Sequence, residues 1–325
     1  MSRRALVVSI LTYAALIGAF WEAAQFFHVL RDVPRAPVVI SFALIFAPFW
    51  FFGFGAAEPL RRALNRRALR VLTAGALVLP YHVFALPLHI FRWQMALGLV
   101  AIPVVVAALL ESIPNNQVKA KLAWQDVAAL AAIAVPILYA WFRPAWAYAG
   151  LGGFPKLLFT DVALYGFLVC RPLATTDVGY DFRPRWRDVA IGLREWAFFF
   201  PFAVIIGLAL HFIKFHANVR SLADFAGAWL VTFFLVAVPE EIFFRGLLLN
   251  LLETRLSRNA ALAVSAVLFG LSHYNKGALF NWRYVLLATI AGVFYGRAWR
   301  DRRRIFCSSV THTAVDVVWS LWFRA

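Results

Sequence analysis

Val238-Pro239-Glu240-Glu241-Ile242-Phe243-Phe244-Arg245 lies within an apolar run that extends from Phe225 to Leu252. As one straight helix, residues 223–252 would measure about 45 Å against a hydrocarbon core of about 30 Å, so the run tilts strongly or breaks. Pro239 marks the break. It has no N–H to donate to the Leu235 carbonyl and its ring crowds that carbonyl, which predicts a kink or restart just before the carboxylates. Either way the acids lie at membrane depth, where an ionisable side chain is by default a functional-site hypothesis. Glu241 and Arg245 are four apart with the acid first, the favourable order for a helical ion pair. Glu240 lies about 100° round the helix, on another face. Two readings stay open at this point: a structural pair that neutralises itself with Glu240 turned to a polar neighbour, or part of a reaction centre.

The remainder of the chain has the composition that such a stretch requires. Its 325 residues are 63% hydrophobic, with a mean hydropathy of +0.74, well above the half-apolar composition of soluble domains. Long apolar runs separated by short charged loops predict an all-α polytopic transmembrane bundle, since a β-barrel would show ten-residue alternation instead. Eleven runs are read, at 5–30, 38–57, 71–91, 93–111, 127–142, 156–170, 189–213, 223–252, 259–273, 284–299 and 305–323, giving ten or eleven spans. The start, Met1-Ser2-Arg3-Arg4 before an apolar run, resembles a signal peptide. The run exceeds an h-region and no small-x-small site closes it, so a retained first helix is expected.

A net charge of +16 would suggest nucleic-acid binding in a soluble chain, but the basic residues fall mostly between apolar runs, so no nucleic-acid partner is expected. Of the 32 Lys and Arg, twenty fall in segments on the side of the N-terminus and ten on the other, with Arg194 and Arg245 inside helices. That bias puts the N-terminus in the cytoplasm. Two cysteines, Cys170 and Cys307, are too few for a disulfide framework. Glu22, His28, Glu58, His82, His89 and Asp161 are scattered through the first half without shared spacing and are expected to be interfacial or snorkelling. No internal repeat is evident, and the polar interruption 172–188 divides the chain into 1–188 and 189–325.

Two further stretches carry polar groups able to meet Glu240. In Phe269-Gly270-Leu271-Ser272-His273, Phe269 and His273 are four apart, as are His312 and Asp316 in His312-Thr313-Ala314-Val315-Asp316. A carboxylate in an apolar pocket is a usable base for water, and a His on the same water would share the proton. A second His could donate to the oxyanion formed when water attacks a carbonyl. The pattern therefore fits amide hydrolysis without a covalent intermediate.

Glu240-Glu241-x-x-x-Arg245, Phe269-x-x-x-His273 and His312-x-x-x-Asp316, in that order on successive apolar runs, resemble the CAAX protease and bacteriocin-processing (CPBP) family. These are glutamate-type intramembrane proteases related to the CAAX prenyl endopeptidase. The resemblance covers roughly 189–323. It implies Glu240 as general base with His273 helping to activate water, His312 and position 316 as the oxyanion site, and Glu241 with Arg245 holding the geometry. The prenyl endopeptidases have Asn where this chain has Asp316. An ionised Asp cannot donate to an oxyanion, so Asp316 is protonated or serves by orienting His312. Counted from the inner loops at about 1.5 Å per residue, His273 lies some 20 Å deep and His312 about 10 Å. For the two to meet, the segment 259–273 must tilt or begin near Thr254.

The expected activity is endoproteolysis of a membrane-associated protein or peptide, in the cytoplasmic membrane of a bacterium, without a cofactor. A zinc protease is an alternative, since Glu240, His273 and His312 are a suitable ligand set with an open position for water, although no H-E-x-x-H helix is present. A non-catalytic peptide-binding or immunity protein is another. A transporter would show repeats and broken helices in both halves; here the polar residues cluster in one third.

Overall fold

The computed structural model describes residues 3–29, 33–114, 121–217, 221–277 and 280–324. Met1 and Ser2 of the signal-like start, and Arg31, Lys119 and Arg220 of the loop cations, lie outside the described residues. Helices dominate, and all eleven apolar runs are helical. Two compact units divide the chain, residues 1–175 and 176–325.

The first unit contains α1 (Arg3–Phe26), α2 (Arg35–Phe52), the short α3 (Ala57–Ala63), α4 (Arg67–Ala85), α5 (Trp93–Glu111), α6 (Trp124–Leu138) and α7 (154–170). Its core is aromatic: Phe46, Phe49, Tyr81, Phe84 and Trp146 are fully buried, with the Tyr81 and Trp146 rings edge-on at 5.7 Å. From Leu157 to Cys170 every residue of α7 is buried. That corrects the expectation for Asp161, which is 0% exposed rather than interfacial because its helix offers no outer face. Glu22, His28, Glu58 and His89 are exposed and His82 is half-buried. Arg171, counted from sequence among loop cations, is also fully buried. Its Nε donates to Asp126 Oδ1 at 2.8 Å and its Nη2 to Oδ2 at 3.2 Å.

The second unit contains α8 (Trp186–Ala209), α9 (Leu222–Leu252), α10 (Arg258–Leu271), α11 (Trp282–Arg302) and α12 (Ile305–Trp322). A two-residue antiparallel pair, Lys214–Phe215 with Phe323–Arg324, joins the end of α12 to the loop after α8. Side chains cap three of the helices: Ser221 Oγ accepts from the Asp224 N–H, Ser257 Oγ from Ala260, and Asn281 Oδ1 from Tyr284. Between α11 and α12 the chain reverses through Arg303 alone in left-handed conformation, φ 49°. The turn is sealed by Gly179, φ 77°, whose carbonyl accepts from the Ile305 N–H at 2.9 Å. A Cβ there would stand 2.3 Å from the Arg303 carbonyl oxygen, so only glycine fits.

Helices α1, α2, α4, α5, α8 and α9 are long and apolar enough to cross a membrane. The α6 and α10 helices are apolar but shorter, and the last two turns of α11 carry Arg297, Arg300, Asp301 and Arg302. Among the described residues six helices are thus long and apolar enough to span, where ten or eleven spans were expected. Both cysteines are buried free thiols.

The helix does not stop and restart at Pro239. The chain stays helical from Leu222 to Leu252, with π-helical turns at Phe233–Ala237 and Ile242–Leu249 on either side of Val238–Glu241. A π turn widens the helix and shifts the hydrogen-bond register, which accommodates the missing donor and the ring while the chain stays helical.

Candidate active site

Helix α9 holds Glu240 and Glu241 between its two π turns, and α10, α11 and α12 pack around that point. Close approach sets the geometry. A Cβ at Gly270 of α10 would meet Thr289 Oγ1 at 1.9 Å and the Val285 carbonyl at 2.6 Å, so α10 and α11 touch backbone to backbone through small residues. On α11 the Gly292 carbonyl lies within reach of Arg245 of α9.

Glu241 and Arg245 form the expected i,i+4 pair, both fully buried, with Nη1 at 3.2 Å from Oε1. The pair is not self-contained. Glu241 Oε1 also lies 2.9 Å from His312 Nδ1, and Arg245 Nη2 donates to the Gly292 carbonyl at 3.0 Å. The guanidinium lies 4.5 Å from the centre of the Phe269 ring and 5.2 Å from that of Tyr295. Aromatic faces and a carbonyl thus offset the cost of burying a cation.

His312, 2% exposed, is clamped by the three helices α9, α10 and α11. Its ring stacks on Tyr295 at 4.6 Å and 18° and meets the edge of Phe269 at 5.6 Å and 89°. Because a carboxylate oxygen only accepts, the contact with Glu241 puts a proton on Nδ1. Nε2 points the other way, 3.7 Å from Glu240 Oε2 and 3.4 Å from Asp316 Oδ2. Glu240 is 13% exposed and Asp316 37%, so the site opens on the Asp316 side.

His273, 5% exposed, sits in the turn just beyond α10, whose last helical residue is Leu271. Its Nδ1 lies 2.9 Å from the Phe269 carbonyl oxygen, which accepts, so the proton is on Nδ1 and the lone pair on Nε2. Tyr284 packs on the ring at 4.9 Å and Phe269 at 4.8 Å. Phe269 therefore lies against both histidines, which places them in one layer. The difference in depth counted from sequence is resolved without an earlier start: α10 begins at Arg258, capped by Ser257, and not near Thr254.

The structure thus brings Glu240, Glu241, Arg245, His312 and Asp316 into direct contact, with His273 joined through Phe269. Sequence reasoning missed Tyr295 and Gly292 of α11, which carried no motif, and Tyr284. It also missed Lys276, whose ammonium lies 5.8 Å from the Tyr284 ring and close enough for its charge to act on Glu240 and Asp316. Lys276 follows His273 by three residues, and that spacing was the one available signal. Among the described residues, no three His, Cys, Asp or Glu side chains are placed to hold a metal ion.

Residues 222–318, from the first residue of α9 to within four of the end of α12, match the family model described as type II CAAX prenyl endopeptidase Rce1-like. These four helices carry an Rce1-like domain. The match supports a CAAX-type intramembrane protease, a peptide hydrolase integral to the membrane. Helix α8, which the resemblance read from sequence had placed in the same core, lies outside the matched stretch. Neither curated proteins nor solved structures yield a match.

Proposed function

We propose that the protein is a metal-independent intramembrane endopeptidase that cleaves a membrane-associated protein or peptide, with Glu240 and His273 activating water. The observation that carries this reading is the orientation of His312. Glu241 holds Nδ1 at 2.9 Å, which aims Nε2 at the space beside Glu240. In that space a water lies between the Glu240 carboxylate and the lone pair of His273 Nε2. As its oxygen attacks the scissile carbonyl carbon, Glu240 takes one proton with His273 sharing it, and the carbonyl oxygen becomes an oxyanion. An N–H on His312 Nε2 donates to that oxyanion in a water-poor site, where a fixed donor is worth most. Collapse of the tetrahedral intermediate breaks the C–N bond, and the proton held by Glu240 passes to the leaving amine.

Asp316 acts in this scheme through His312. Its Oδ2 lies 3.4 Å from Nε2, which keeps a proton on that nitrogen between turnovers. Glu241 and Arg245 fix the ring and the helix beneath it. The test is cleavage by the purified protein of peptides released from membrane proteins, before and after chelation. Cleavage should survive chelation, and Glu240→Gln should abolish it. Loss on chelation with recovery on added zinc would reassign Glu240, His273 and His312 as ligands.

A further inference from the structure

The first unit carries a cluster that proteolysis does not use. Arg-Arg-Ala-Leu occurs twice in succession, at 61–64 and 66–69, followed by Arg70. The duplication spans the turn from α3 into α4, so arginines of both copies reach the same space. There, against the end of α5, lies a cavity of about 470 Å³ lined by Arg61, Arg62, Arg67 and Arg70 and by Glu58 and Glu111. Four guanidinium groups against two carboxylates leave a charge of +2.

The arginines are held differently. Arg70 is 8% exposed and grips Glu111 with two bonds, Nη2 to Oε2 at 2.8 Å and Nε to Oε1, forming the floor. Arg61 is fixed by its Nη1, which donates to the Val169 and Cys170 carbonyls at the end of α7. Glu111 is therefore already spoken for, yet Arg61 and Arg67 still stand 3.8 Å from it. One carboxylate cannot neutralise three cations. Arg67 is 60% exposed with its fork at the cavity, and Arg62, paired with Glu58 at 2.9 Å, stands at the rim. Asn65 adds neutral hydrogen-bonding capacity between them.

We propose that this cavity binds a phosphate group carried by an anionic ligand, with Arg61, Arg62 and Arg67 supplying the guanidinium N–H groups that their present partners do not use. Forked guanidinium groups match the tetrahedral oxygens of phosphate, and a net excess of two charges selects a ligand whose own charge is negative overall. The volume exceeds ten times the roughly 30 Å³ share of a liquid water, which leaves room for a substituent on the phosphate. Position favours a lipid as the source. Arg61 and Arg62 end α3 and Arg67 opens α4, a membrane-length helix whose Leu69 and Leu72, in its first two turns, are exposed and apolar. A headgroup at that level meets the arginines while its chains lie along the leucines.

The experiment is a thermal-unfolding titration of the full-length protein in neutral detergent with phosphatidylglycerol, phosphatidylcholine or inorganic phosphate. A ligand that binds only the folded state raises the unfolding temperature saturably. Phosphatidylglycerol should do so and phosphatidylcholine, whose ammonium meets the arginines, should not. The double variant Arg62→Gln/Arg67→Gln should bind at least tenfold more weakly with unchanged helix content, and Arg62→Lys/Arg67→Lys should recover part of the loss. Saturation by inorganic phosphate at millimolar concentration, with the same arginine dependence and no response to phosphatidylglycerol, would identify a soluble phosphorylated ligand in the same cavity. Equal responses to both lipids, or unaltered binding by the glutamine variant, would overturn the site. So would an equal loss in Arg187→Gln/Arg255→Gln, which removes two exposed charges elsewhere and would make the effect one of net charge.

Discussion

Each unit buries an arginine–carboxylate pair completely, and the two pairs are built differently. Arg171 and Asp126 in the first unit form two parallel bonds, one to each carboxylate oxygen. Arg245 and Glu241 in the second share one bond, at 3.2 Å; Glu241 Oε1 serves His312 as well, and neither Glu241 Oε2 nor Arg245 Nε has a hydrogen-bond partner among the described residues. Burial alone does not distinguish a structural pair from a functional one, since both are 0% exposed. The use of the carboxylate's remaining capacity does: Asp126 Oδ2 also accepts from the Ala123 N–H and so caps its own helix, whereas Glu241 Oε1 is diverted to orienting His312, at a cost in stability.

Deleting one partner should give the largest effects. Glu241→Gln and Asp126→Asn each leave a buried guanidinium without its counter-charge, and each should lose about 3–5 kcal/mol in denaturant unfolding. Only Glu241→Gln should also disturb the site, because only Glu241 touches His312. A fully stable but inactive Glu241→Gln protein would make Glu241 a chemical group instead. Next in size, His312→Ala should lower turnover by about 10²–10³-fold, the range for loss of an oxyanion donor, with stability affected far less than by Glu241→Gln. Gly270→Ala is expected to cost about 1–3 kcal/mol by overpacking α10 against Thr289, and to slow cleavage through displacement of His273. Smallest is Asp316→Asn. An amide in that place can still face His312 Nε2, so the rate should change by less than about tenfold, or 1.4 kcal/mol. A collapse in rate would give Asp316 a direct role.

How far the sequence revealed these arrangements follows from the range of the interactions. The eleven helical runs were legible because apolar periodicity is local, as was Glu241–Arg245, which lies within one helix. The third partner, His312, lies 71 residues on; its place in the site followed from the grouping of polar residues and from the resemblance, and its contact with Glu241 was not legible. Asp126 and Arg171 are 45 residues apart, and Arg171 follows an apolar run, so charge counting put it in a loop. Tyr295 and Phe269, which pack on His312, look like any aromatic in an apolar helix. Pro239 was legible in part: a rule for α-helices forecast a kink or restart, and the chain met the missing donor by changing its hydrogen-bond register while staying helical.

The central claim, that Glu240 is the base of a peptide hydrolase, is tested most directly in cells that make either the natural protein or Glu240→Gln at equal membrane levels. Glutamine keeps the shape of the side chain and removes its basicity, so the rate should fall at least about 10²-fold while the protein stays folded. Mapping the termini of all membrane-associated proteins in the two strains should then show one or more cleaved ends present with the natural protein and replaced by the uncleaved precursor with the variant. Identical sets of termini in both strains would contradict the assignment.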